Sequence, residues 1–509
     1  MLYFRILVPP GLRINQHGSR VYAMKKVAFA FSIILLLSLA ACASSTTHIA
    51  ASPILGETKT STPVPTMQSA INHESAPLKP TETIKLVVSD AQNVMWTSSN
   101  PYVASVDQNG IVIGRHKGGI ATITGKADGV VYTCTVTNTV NMRDNTAKQA
   151  LSEMKIGTNY ASALDVIDWD FNHGFDPYAI KHNGLDKLHY YLTKTGDVPP
   201  TTDMIRIFKE AGYDSIRLNV SWSLYTNDQT YKIDDDFLNT VEQYVSAILD
   251  NGMYCILNSH YDYLNRSWVG DKWAEDWMRP EYKSYVDARF KAIWKQVADR
   301  FSSYDDYLIF EPMNEPCMSD SVLHSTGSEK DMEQMQRDRV NELNKLFYDT
   351  VRSSGGNNEK RVLALSPALN NASELQYLNI PNDDKLMVEV HYYYQNDDGG
   401  PVTEWSSSNS LNTKKVDEEF KTIKQYINKT GIPIILGEWG STAAMPIEER
   451  IDQATYIIKK ARNLGIPCFW WECGWKESEG ANENFPLFDR HNMQWAFPDL
   501  LKAIMECVQ

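Results

Sequence analysis

The 509-residue sequence has only seven cysteines, and none shows the paired spacing of a structural zinc site. Cys468 and Cys473 stand close together, but no second pair accompanies them. Six cysteines follow Cys42, an even number that permits disulfides in an exported protein, although most of the six lie in apolar, strand-like runs. We therefore expect buried thiols, and we expect neither a metal nor another cofactor.

The sequence also lacks a basic segment beyond a few residues near its N-terminus. Its 49 Lys and Arg are outnumbered by 63 Asp and Glu, which gives a net charge of −14. This balance argues against nucleic acid or an anionic membrane surface as the partner, because both carry negative charge. A neutral or cationic substrate fits better. The 13 Trp and 26 Tyr could offer ring faces to sugars or fill a large core.

No apolar run is long enough for an ordinary transmembrane helix. The longest, residues 27–41, follows Met24-Lys-Lys and precedes Cys42, which is the order of a secretory signal. Leu39-Ala-Ala-Cys42 resembles the lipobox of bacterial lipoproteins, which implies that Cys42 is lipidated. We interpret residues 1–42 as an upstream segment and lipoprotein signal peptide, with a plain signal peptide as the alternative. The protein is then exported, to the cell surface or outer membrane as a lipoprotein, and otherwise secreted.

Two further segments precede the main domain. Residues 43–80 are rich in Ser, Thr and Pro, a composition that indicates a linker. Residues 81–141 contain short alternating strands separated by the turn signals Asn109-Gly and Asp128-Gly, which predicts a small all-β sandwich. The run from Trp96 to Thr124 resembles bacterial immunoglobulin-like domains of group 2. That resemblance implies a structural or adhesive spacer, with carbohydrate binding as the alternative.

Residues 150–509 alternate apolar strand-like runs with amphipathic helical runs. The predicted strands are 155–160, 214–220, 253–260, 307–315, 361–367, 385–393, 432–439 and 466–472. Eight strands, each followed by a helix, favour an α/β fold of the (β/α)8 TIM barrel type over an open doubly wound sheet. An open sheet of that kind would also be expected to have a Gly-rich phosphate-binding turn after its first strand, and residues 157–163 (GTNYASA) do not match one.

Polar residues crowd the C-terminal ends of these strands, where barrel enzymes carry their reacting groups. They are Asn159, Arg217, His260, Asn314, Glu315, His391, Tyr393, Glu438 and Trp471. Glu315 and Glu438 would face each other across the mouth of the barrel. Two opposed carboxyl groups are the least that cleavage of a glycosidic bond requires. One must be protonated and the other ionised, so their environments must separate their pKa values. Arg217 and Tyr393 would favour the anion, and His391 could tune the acid.

Six motifs in chain order resemble those of glycoside hydrolase family 5. They are SIRLNVSW at Ser215, ILNSHYD at Ile256, FEPMNEP at Phe310, VHYYYQ at Val390, LGEWG at Leu436 and CFWWECG at Cys468. The resemblance implies a retaining mechanism with Glu315 as acid/base and Glu438 as nucleophile. It also implies that Asn314 binds the sugar 2-hydroxyl, that Asn159, Arg217, His260, His391 and Tyr393 support the site, and that Trp471 forms the floor of the −1 subsite.

The sequence departs from the family pattern near the substrate subsites. Ala161 and Ser162 stand where Gly and Asn are usual, and Tyr261 stands where a second histidine is common. An unusually long insertion at 165–200 could wall the site. Trp268, Trp273 and Trp277 are either a loop core or a sugar platform. We expect Glu311 to be structural, deeper on the strand of Glu315 and paired with Arg217, and we expect Trp470 to pack on helices.

Three function classes follow. The first is an exported, monomeric endo-β-1,4-glucanase acting on a β-glucan polysaccharide, with xyloglucan, mixed-linkage glucan or mannan as substrates of the same chemistry. The second is a non-catalytic glycan-binding or adhesion protein, which would have no need to retain both Glu315 and Glu438. The third is a metal-dependent hydrolase, which the lack of a third ligand beside His260 and His391 disfavours.

Overall fold

The structure is a computed structural model, and it describes residues 70–165, 198, 200–222, 225–227, 229–260, 282–317, 329–396, 402–472, 474 and 485–508. These residues form a small all-β part followed by a closed parallel barrel. Within these ranges, none of the helices combines the length and the apolar character needed to cross a membrane.

The all-β part consists of two small sheets around a common core. Its strands are β1 (Ser75–Leu78), β2 (Thr83–Lys85), β3 (Met95–Ser98), β4 (Ala104–Val106), β5 (Ile111–Gly114), β6 (Gly119–Ala127) and β7 (Val130–Asn138). One sheet has the order β1-β7-β6-β3 and the other β2-β5-β4. Alternate side chains of both sheets, among them Trp96, Val112 and Val136, are buried in one cluster, as a half-exposed sheet requires.

The Asp128-Gly signal forms a hairpin turn between β6 and β7, as the sequence predicts. Asp128 and Gly129 both have positive φ, 50° and 78°, which is the geometry that the tightest hairpin loops demand. The predicted linker ends too late, however. Ser75–Leu78 pairs in parallel with β7 and buries Ala76 and Leu78. A four-residue strand that contains proline and pairs with a distant segment leaves no local signal.

The barrel has the eight parallel strands that the sequence predicts. They are β8 (Ile156–Asn159), β9 (Ser215–Leu218), β10 (Tyr254–Asn258), β11 (Leu308–Glu311), β12 (Leu363–Leu365), β13 (Leu386–Tyr392), β14 (Ile434–Trp439) and β15 (Cys468–Trp470). They close in chain order, with β15 pairing β8. Of the cysteines on or near these strands, Cys255 and Cys468 are buried thiols, as is Cys134 in the all-β part.

The helices surround the barrel, with one exception at its base. They are α1 (Ala147–Glu153), α2 (Met204–Ala211), α3 (Asp235–Asp250), α4 (Lys283–Phe301), α5 (Glu329–Ser353), α6 (Ser410–Thr430), α7 (Ile447–Arg462) and α8 (Pro498–Glu506). A two-stranded hairpin, β16 (Phe488–Asp489) with β17 (Gln494–Trp495), precedes α8. The expectation that a helix follows every strand is wrong for β12, which is followed by two 3-10 turns, Ala368–Asn370 and Ala372–Tyr377.

Helix α1, which the sequence reading overlooks, closes the N-terminal end of the barrel. Ala150 and Leu151 pack against interior side chains such as Ile309. Its start carries a capping box, in which Thr146 and Gln149 satisfy each other's backbone N–H groups. In the described residues, α1 therefore covers the N-terminal end of the barrel, and the opposite end, where the strands terminate, can hold a site.

The all-β part and the segment after it contact this same lower end through ion pairs whose acidic partners are buried. His116 Nδ1 lies 2.6 Å from Asp305, and Lys117 Nζ lies 2.6 Å from Glu242 on α3. Arg143, in the segment before α1, lies 2.6 Å from Asp306. Asp305 and Asp306 come directly before β11, so these contacts, which we call the junction, lie at the end of the barrel opposite the strand C-termini.

Candidate active site

The nine polar and aromatic residues that the sequence assigns to strand ends all lie at one end of the barrel. They stand within or directly after the C-terminal halves of their strands: Asn159, Arg217, His260, Asn314, Glu315, His391, Tyr393, Glu438 and Trp471. Because the strands are parallel and closed, these ends form a single face. Side-chain contacts connect the nine into one network, in which Asn219 bridges Asn159 and His260.

Arg217 is the centre of this network. Its side chain is completely buried, and each of its nitrogens donates hydrogen bonds. Nε and Nη2 donate to Glu311 at 2.9 and 2.5 Å, and Nη1 donates to Glu438 at 2.6 Å. Nη1 and Nη2 also donate to the amide oxygens of Asn159 and Asn314, each at 2.9 Å. Burial alone would lower the pKa of Arg217, but the surrounding glutamates raise it well above its usual value, so the guanidinium stays charged.

Glu438, on β14, is almost fully buried and holds two hydrogen bonds. Its Oε1 accepts from Arg217, and its Oε2 accepts from the hydroxyl of Tyr393 at 3.1 Å. Burial raises the pKa of Glu438 to about 7, against the opposing charges of His391 and Arg217. A shift in the pairing of β13 with β14 between Val390 and His391 brings His391 opposite Glu438. Such irregularities re-aim side chains next to active sites.

Glu315 stands higher in the barrel mouth than the sequence reading implies. The expectation that it shares a strand with Glu311 is wrong, because β11 ends at Glu311. Glu315 lies in the following turn with φ of 43°, and its backbone N–H donates to Asn370 Oδ1 at 2.6 Å. Its side chain is 37% exposed, whereas that of Glu311 is fully buried against Arg217. The two glutamates thus separate by depth, with Glu311 below.

The carboxyl groups of Glu315 and Glu438 face each other closely. One oxygen of each, together with a ring nitrogen of His391, lies within 4.8 Å of the others. His391 Nδ1 is 2.7 Å from Glu315 Oε1 and 3.5 Å from Glu438 Oε2. Burial alone would lower the pKa of His391, but the charges of Glu389 and Glu438 and the hydrogen bond to Glu315 raise it well above its usual value.

His260 and Trp471 form an aromatic pair at the side of this carboxyl pair. Their rings stack at 5.2 Å with an interplanar angle of 15°. The side-chain amides of Asn219 and Asn258 point at His260 Nδ1 from 2.9 and 3.3 Å. Burial lowers the pKa of His260 well below its usual value, with Arg217 and His391 adding to the effect, so the imidazole is neutral. Trp471 is half-buried and keeps ring surface for a ligand.

Trp470 points away from this face. Its indole N–H donates to the carbonyl of Phe485 at 2.8 Å, and its ring meets that of Trp439 at 4.8 Å. Both tryptophans are fully buried in the main hydrophobic core. Successive residues of a strand point to opposite sides, so only Trp471 of the two is available to the site.

The sequence reading missed four residues of the network: Asn219, Asn258, Asn370 and Glu389. Three of them had a usable signal. Asn219 follows the predicted site residue Arg217 by two residues, and Asn258 and Glu389 each precede a predicted site histidine by two residues. This spacing places them on the same side of the strand as the predicted site residue. Asn370 had none, because it belongs to a 3-10 turn and takes a left-handed conformation with φ of 48°.

Glu315, His391 and Glu438 together offer three atoms at metal-ligand spacing. The same groups already bond to each other and to Arg217 and Tyr393. A cation would have to break these bonds and would sit beside the buried positive charge of Arg217. The expectation that the protein uses no metal stays a prediction, which activity in the presence of a chelator tests.

Several predicted features near the site lie outside the described residues. They are Tyr261, Trp268, Trp273, Trp277, Cys473, all but the two ends of the 165–200 insertion, and Cys42 at the N-terminus. Of the departures that the structure describes, Ser162 has φ of 63°. Asn tolerates this left-handed conformation better than most residues, which is a physical reason for Asn being usual there.

Two opposed carboxyl groups, one buried and one half-exposed, at the mouth of a (β/α)8 barrel define the class of glycoside hydrolases. The sequence profile of cellulase, glycosyl hydrolase family 5, matches residues 179–477. Endoglucanase A of Ruminococcus albus is 32% identical over 380 residues, which cover 72% of this chain and 93% of that protein. Endoglucanase B of the same organism is 33% identical over 373 residues, 71% of this chain and 80% of that protein. The chain therefore belongs to glycosyl hydrolase family 5.

Solved structures agree with the barrel assignment. A broad-specificity endoglucanase from Ruminococcus champanellensis with bound cellotriose has a TM-score of 0.60 and 30% identity, covering 72% of this chain and 100% of that one. A family 5 lichenase from Caldicellulosiruptor sp. F32 has a TM-score of 0.61 and 28% identity, covering 72% and 97%.

Proposed function

We propose that the protein is a retaining endo-β-1,4-glucanase in which Glu438 is the nucleophile and Glu315 the acid/base. The observation that carries this proposal is the close approach of the two carboxyl groups, with oxygens within 4.8 Å. Retaining enzymes hold their carboxyl groups about 5 to 5.5 Å apart, and inverting enzymes need roughly 6.5 to 9.5 Å to admit a water. The short separation leaves room for direct attack on the sugar.

The surroundings of each carboxyl group support the division of roles. Glu438 receives hydrogen bonds from Arg217 and Tyr393, which stabilise its anion and hold it in place. Glu315 is more exposed and touches His391 Nδ1, a group that can exchange a proton with it. The proton donor must reach the leaving oxygen on the open side of the cleft, and Glu315 is the carboxyl group on that side.

The reaction then proceeds in two steps. In the first, a Glu438 oxygen bonds to the anomeric carbon, the bond to the leaving oxygen breaks, and Glu315 gives that oxygen its proton. In the second, Glu315 takes a proton from water, the water oxygen bonds to the anomeric carbon, and Glu438 leaves as a carboxylate. Arg217 and Tyr393 stabilise the negative charge that Glu438 loses and regains.

Neighbouring side chains would bind the sugar in the −1 subsite. Arg217 holds the amide oxygen of Asn314, so the amide nitrogen of Asn314 is oriented as a donor for the 2-hydroxyl. Trp471, backed by His260, offers an aromatic face to the sugar ring. The net charge of −14 suits a neutral polymer. We expect a monomer with no nucleic-acid partner.

The named substrates of relatives guide the choice of glycan. Relatives are called endoglucanases, and one related structure contains cellotriose. A second candidate is mixed-linkage β-glucan, because another related structure is called a lichenase. Release of reducing sugar from carboxymethyl cellulose, mixed-linkage glucan, xyloglucan and mannan separates these substrates. If none of the β-1,4-glucans is cleaved, the proposal is wrong.

We infer that the enzyme is displayed outside the cell by a lipid on Cys42. The lipobox-like LAAC segment, the Ser/Thr/Pro-rich stretch after it and the immunoglobulin-like pattern of the all-β part support this inference. In this proposal the immunoglobulin-like domain is a spacer. Incorporation of labelled palmitate and partition into detergent test it, with Cys42→Ser as the matched control. Equal labelling of both proteins would contradict a lipid on Cys42.

A mechanism-based label tests the catalytic roles directly. A 2-deoxy-2-fluoro cellobioside with an activated leaving group slows the second step and traps the glycosyl-enzyme. Peptide mapping should find the sugar on the peptide that contains Leu436–Gly440, attached to Glu438. A label on the peptide of Glu315, or a product of inverted anomeric configuration, would overturn the assignment.

A further inference from the structure

Glu389 is a buried carboxylate that the two-step mechanism leaves unused. It lies on β13 with no exposed surface. Space is made for it by Gly437 on the neighbouring strand: a Cβ atom at 437 would stand 1.8 Å from Glu389 Oε1. An isolated carboxylate in such a place costs several kcal/mol unless it is paired, so its partners indicate its role.

Among the described residues, each carboxylate oxygen of Glu389 has one polar partner. Oε2 accepts a hydrogen bond from the side-chain amide of Asn370. Oε1 lies 2.8 Å from His391 Nε2. This second contact is an ion pair rather than an aligned hydrogen bond, since neither atom makes a hydrogen bond of good geometry within the part of the chain that the structure describes.

Both neighbours in turn hold Glu315. Asn370 Oδ1 accepts from the backbone N–H of Glu315 at 2.6 Å, and His391 Nδ1 lies 2.7 Å from Glu315 Oε1. Glu315 and Asn370 both have positive φ, 43° and 48°. Non-glycine residues in this region cost about 1 kcal/mol or more each and persist only where the surroundings fix them.

We propose that Glu389 is a positioning residue for the proton donor, acting through Asn370 on the backbone of Glu315 and through His391 on its side chain. The four residues form a closed ring of contacts with Glu389 at its base. The inference rests on the proposed role of Glu315 as acid/base.

The ring also determines where a proton can reside. Nε2 of His391 faces a carboxylate oxygen, which only accepts, so Nε2 must carry hydrogen. Nδ1 then either donates to ionised Glu315 or accepts from protonated Glu315, and the pair shares one proton. The charge of Glu389 helps to retain that proton. In the described part of the chain, Glu311, Glu438 and His260 also act on His391, and Arg217 and Tyr393 reach the same group through Glu438.

The test compares two substrates in Glu389→Gln, which keeps the shape and removes the charge. Cello-oligosaccharides need a proton on the leaving oxygen, whereas 2,4-dinitrophenyl cellobioside does not. We expect kcat/KM to fall about ten- to a hundredfold for the oligosaccharide and by less than about threefold for the dinitrophenyl substrate. The alkaline limb of kcat/KM should move to lower pH by about one unit, because the shared proton is lost more easily.

Gly437→Ala should displace Glu389 without removing it. We expect this variant, like Glu389→Gln, to lose more kcat/KM on cello-oligosaccharides than on 2,4-dinitrophenyl cellobioside. Equal losses on both substrates with an unmoved alkaline limb would overturn the inference, since a merely structural role acts on both alike. Glu315→Ala with added azide separates this failure from failure of the proposed mechanism. If azide rescues that variant and yields a glycosyl azide, Glu315 is the acid/base whatever Glu389 does.

Discussion

Charged side chains form clusters at both ends of the barrel, and the two clusters differ in the balance of acids and bases. At the junction and directly around it each acid faces a base: His116 with Asp305, Lys117 and Arg300 with Glu242, Arg115 with Asp250, and Arg143 with Asp306 and Glu153. At the active site four glutamates, Glu311, Glu315, Glu389 and Glu438, surround Arg217 and His391. The first group has five acids and five bases, and the second is left with an excess of acid.

This difference follows from what each end does. A buried pair that only holds two parts together is stable when both partners are charged, and removing one partner leaves an uncompensated charge. A glycoside hydrolase site needs one carboxyl group to hold a proton while another is ionised. Crowding more carboxylates than cations into a buried space creates that condition, because they cannot all ionise. The excess of acid therefore marks the functional end.

The largest effect should come from Glu438, the proposed nucleophile. Glu438→Gln removes the attacking oxygen, so we expect kcat on cello-oligosaccharides to fall about 10⁴-fold or more. Removing one acid from an excess of acids should leave the unfolding midpoint unchanged or slightly raised. Initial-rate assays and thermal unfolding of the same preparation measure both. A variant that loses stability together with activity would contradict the contrast between the two ends.

Arg217→Met should reduce both the stability and the activity of the protein. It leaves Glu311 and Glu438 without their cation, and breaking a buried pair in this way costs about 3 to 5 kcal/mol. Denaturant unfolding measures this loss, and activity should be abolished. Adding Glu311→Gln removes one of the orphaned charges, so the double variant should recover part of the stability and none of the activity. Recovery of activity would show that Arg217 is not needed to hold Glu438.

The sequence was sufficient for the parts of this site that follow strand periodicity. Each of the eight predicted strands overlaps an observed one, so residues at strand ends such as Arg217 and Glu438 could be assigned to one face. The pairing of Glu311 with Arg217 also followed, because a carboxylate buried below the rim of the barrel requires a buried cation.

Features that depend on turns or on distant segments could not be predicted. Glu315 reaches the rim through a left-handed turn, and Asn370 meets it from a 3-10 turn after a different strand. The junction pairs residues up to 189 positions apart, as in His116 with Asp305. Neither case leaves a periodic pattern in the sequence, since each contact is set by the closure of the barrel rather than by neighbouring residues.

At the junction, in contrast to Glu438→Gln, the loss of one acid should lower stability and leave activity unchanged. Glu242 is buried and accepts from Lys117 at 2.6 Å, from Tyr304 at 2.9 Å and from Arg300 at 2.7 Å. Glu242→Gln should reduce the free energy of unfolding by about 3 kcal/mol and leave kcat/KM unchanged. Glu418→Gln, at an exposed ion pair on α6, is the matched control and should change stability by less than about 0.5 kcal/mol. Loss of activity in folded Glu242→Gln would refute the separation of roles.

The excess of acid at the active site should also appear in the pH dependence. Burial raises the pKa of Glu438 to about 7, and in the proposed mechanism Glu438 must be ionised to attack. The acidic limb of kcat/KM should therefore lie at a higher pH than it would if the ionising group were an exposed glutamate. Tyr393→Phe removes a donor to the anion, so the acidic limb of kcat/KM should move further up. A limb that moves down would mean that the limb belongs to another group.

The smallest effect is expected from His116, the titratable base of the junction. Burial alone would lower the pKa of His116, but the hydrogen bond and charge of Asp305 raise it above its usual value. Protonated His116 thus stabilises the folded state fully below the unfolded pKa of about 6.5, and this contribution is lost as pH rises through the folded pKa. The gap in unfolding midpoint between the wild type and His116→Gln should therefore narrow as the pH is raised. Asp250 and Arg115 also lie near His116 and are unchanged in the variant. A difference in unfolding midpoint that stays constant with pH would mean that His116 acts only by packing. Enzymatic activity should be the same in both proteins at every pH.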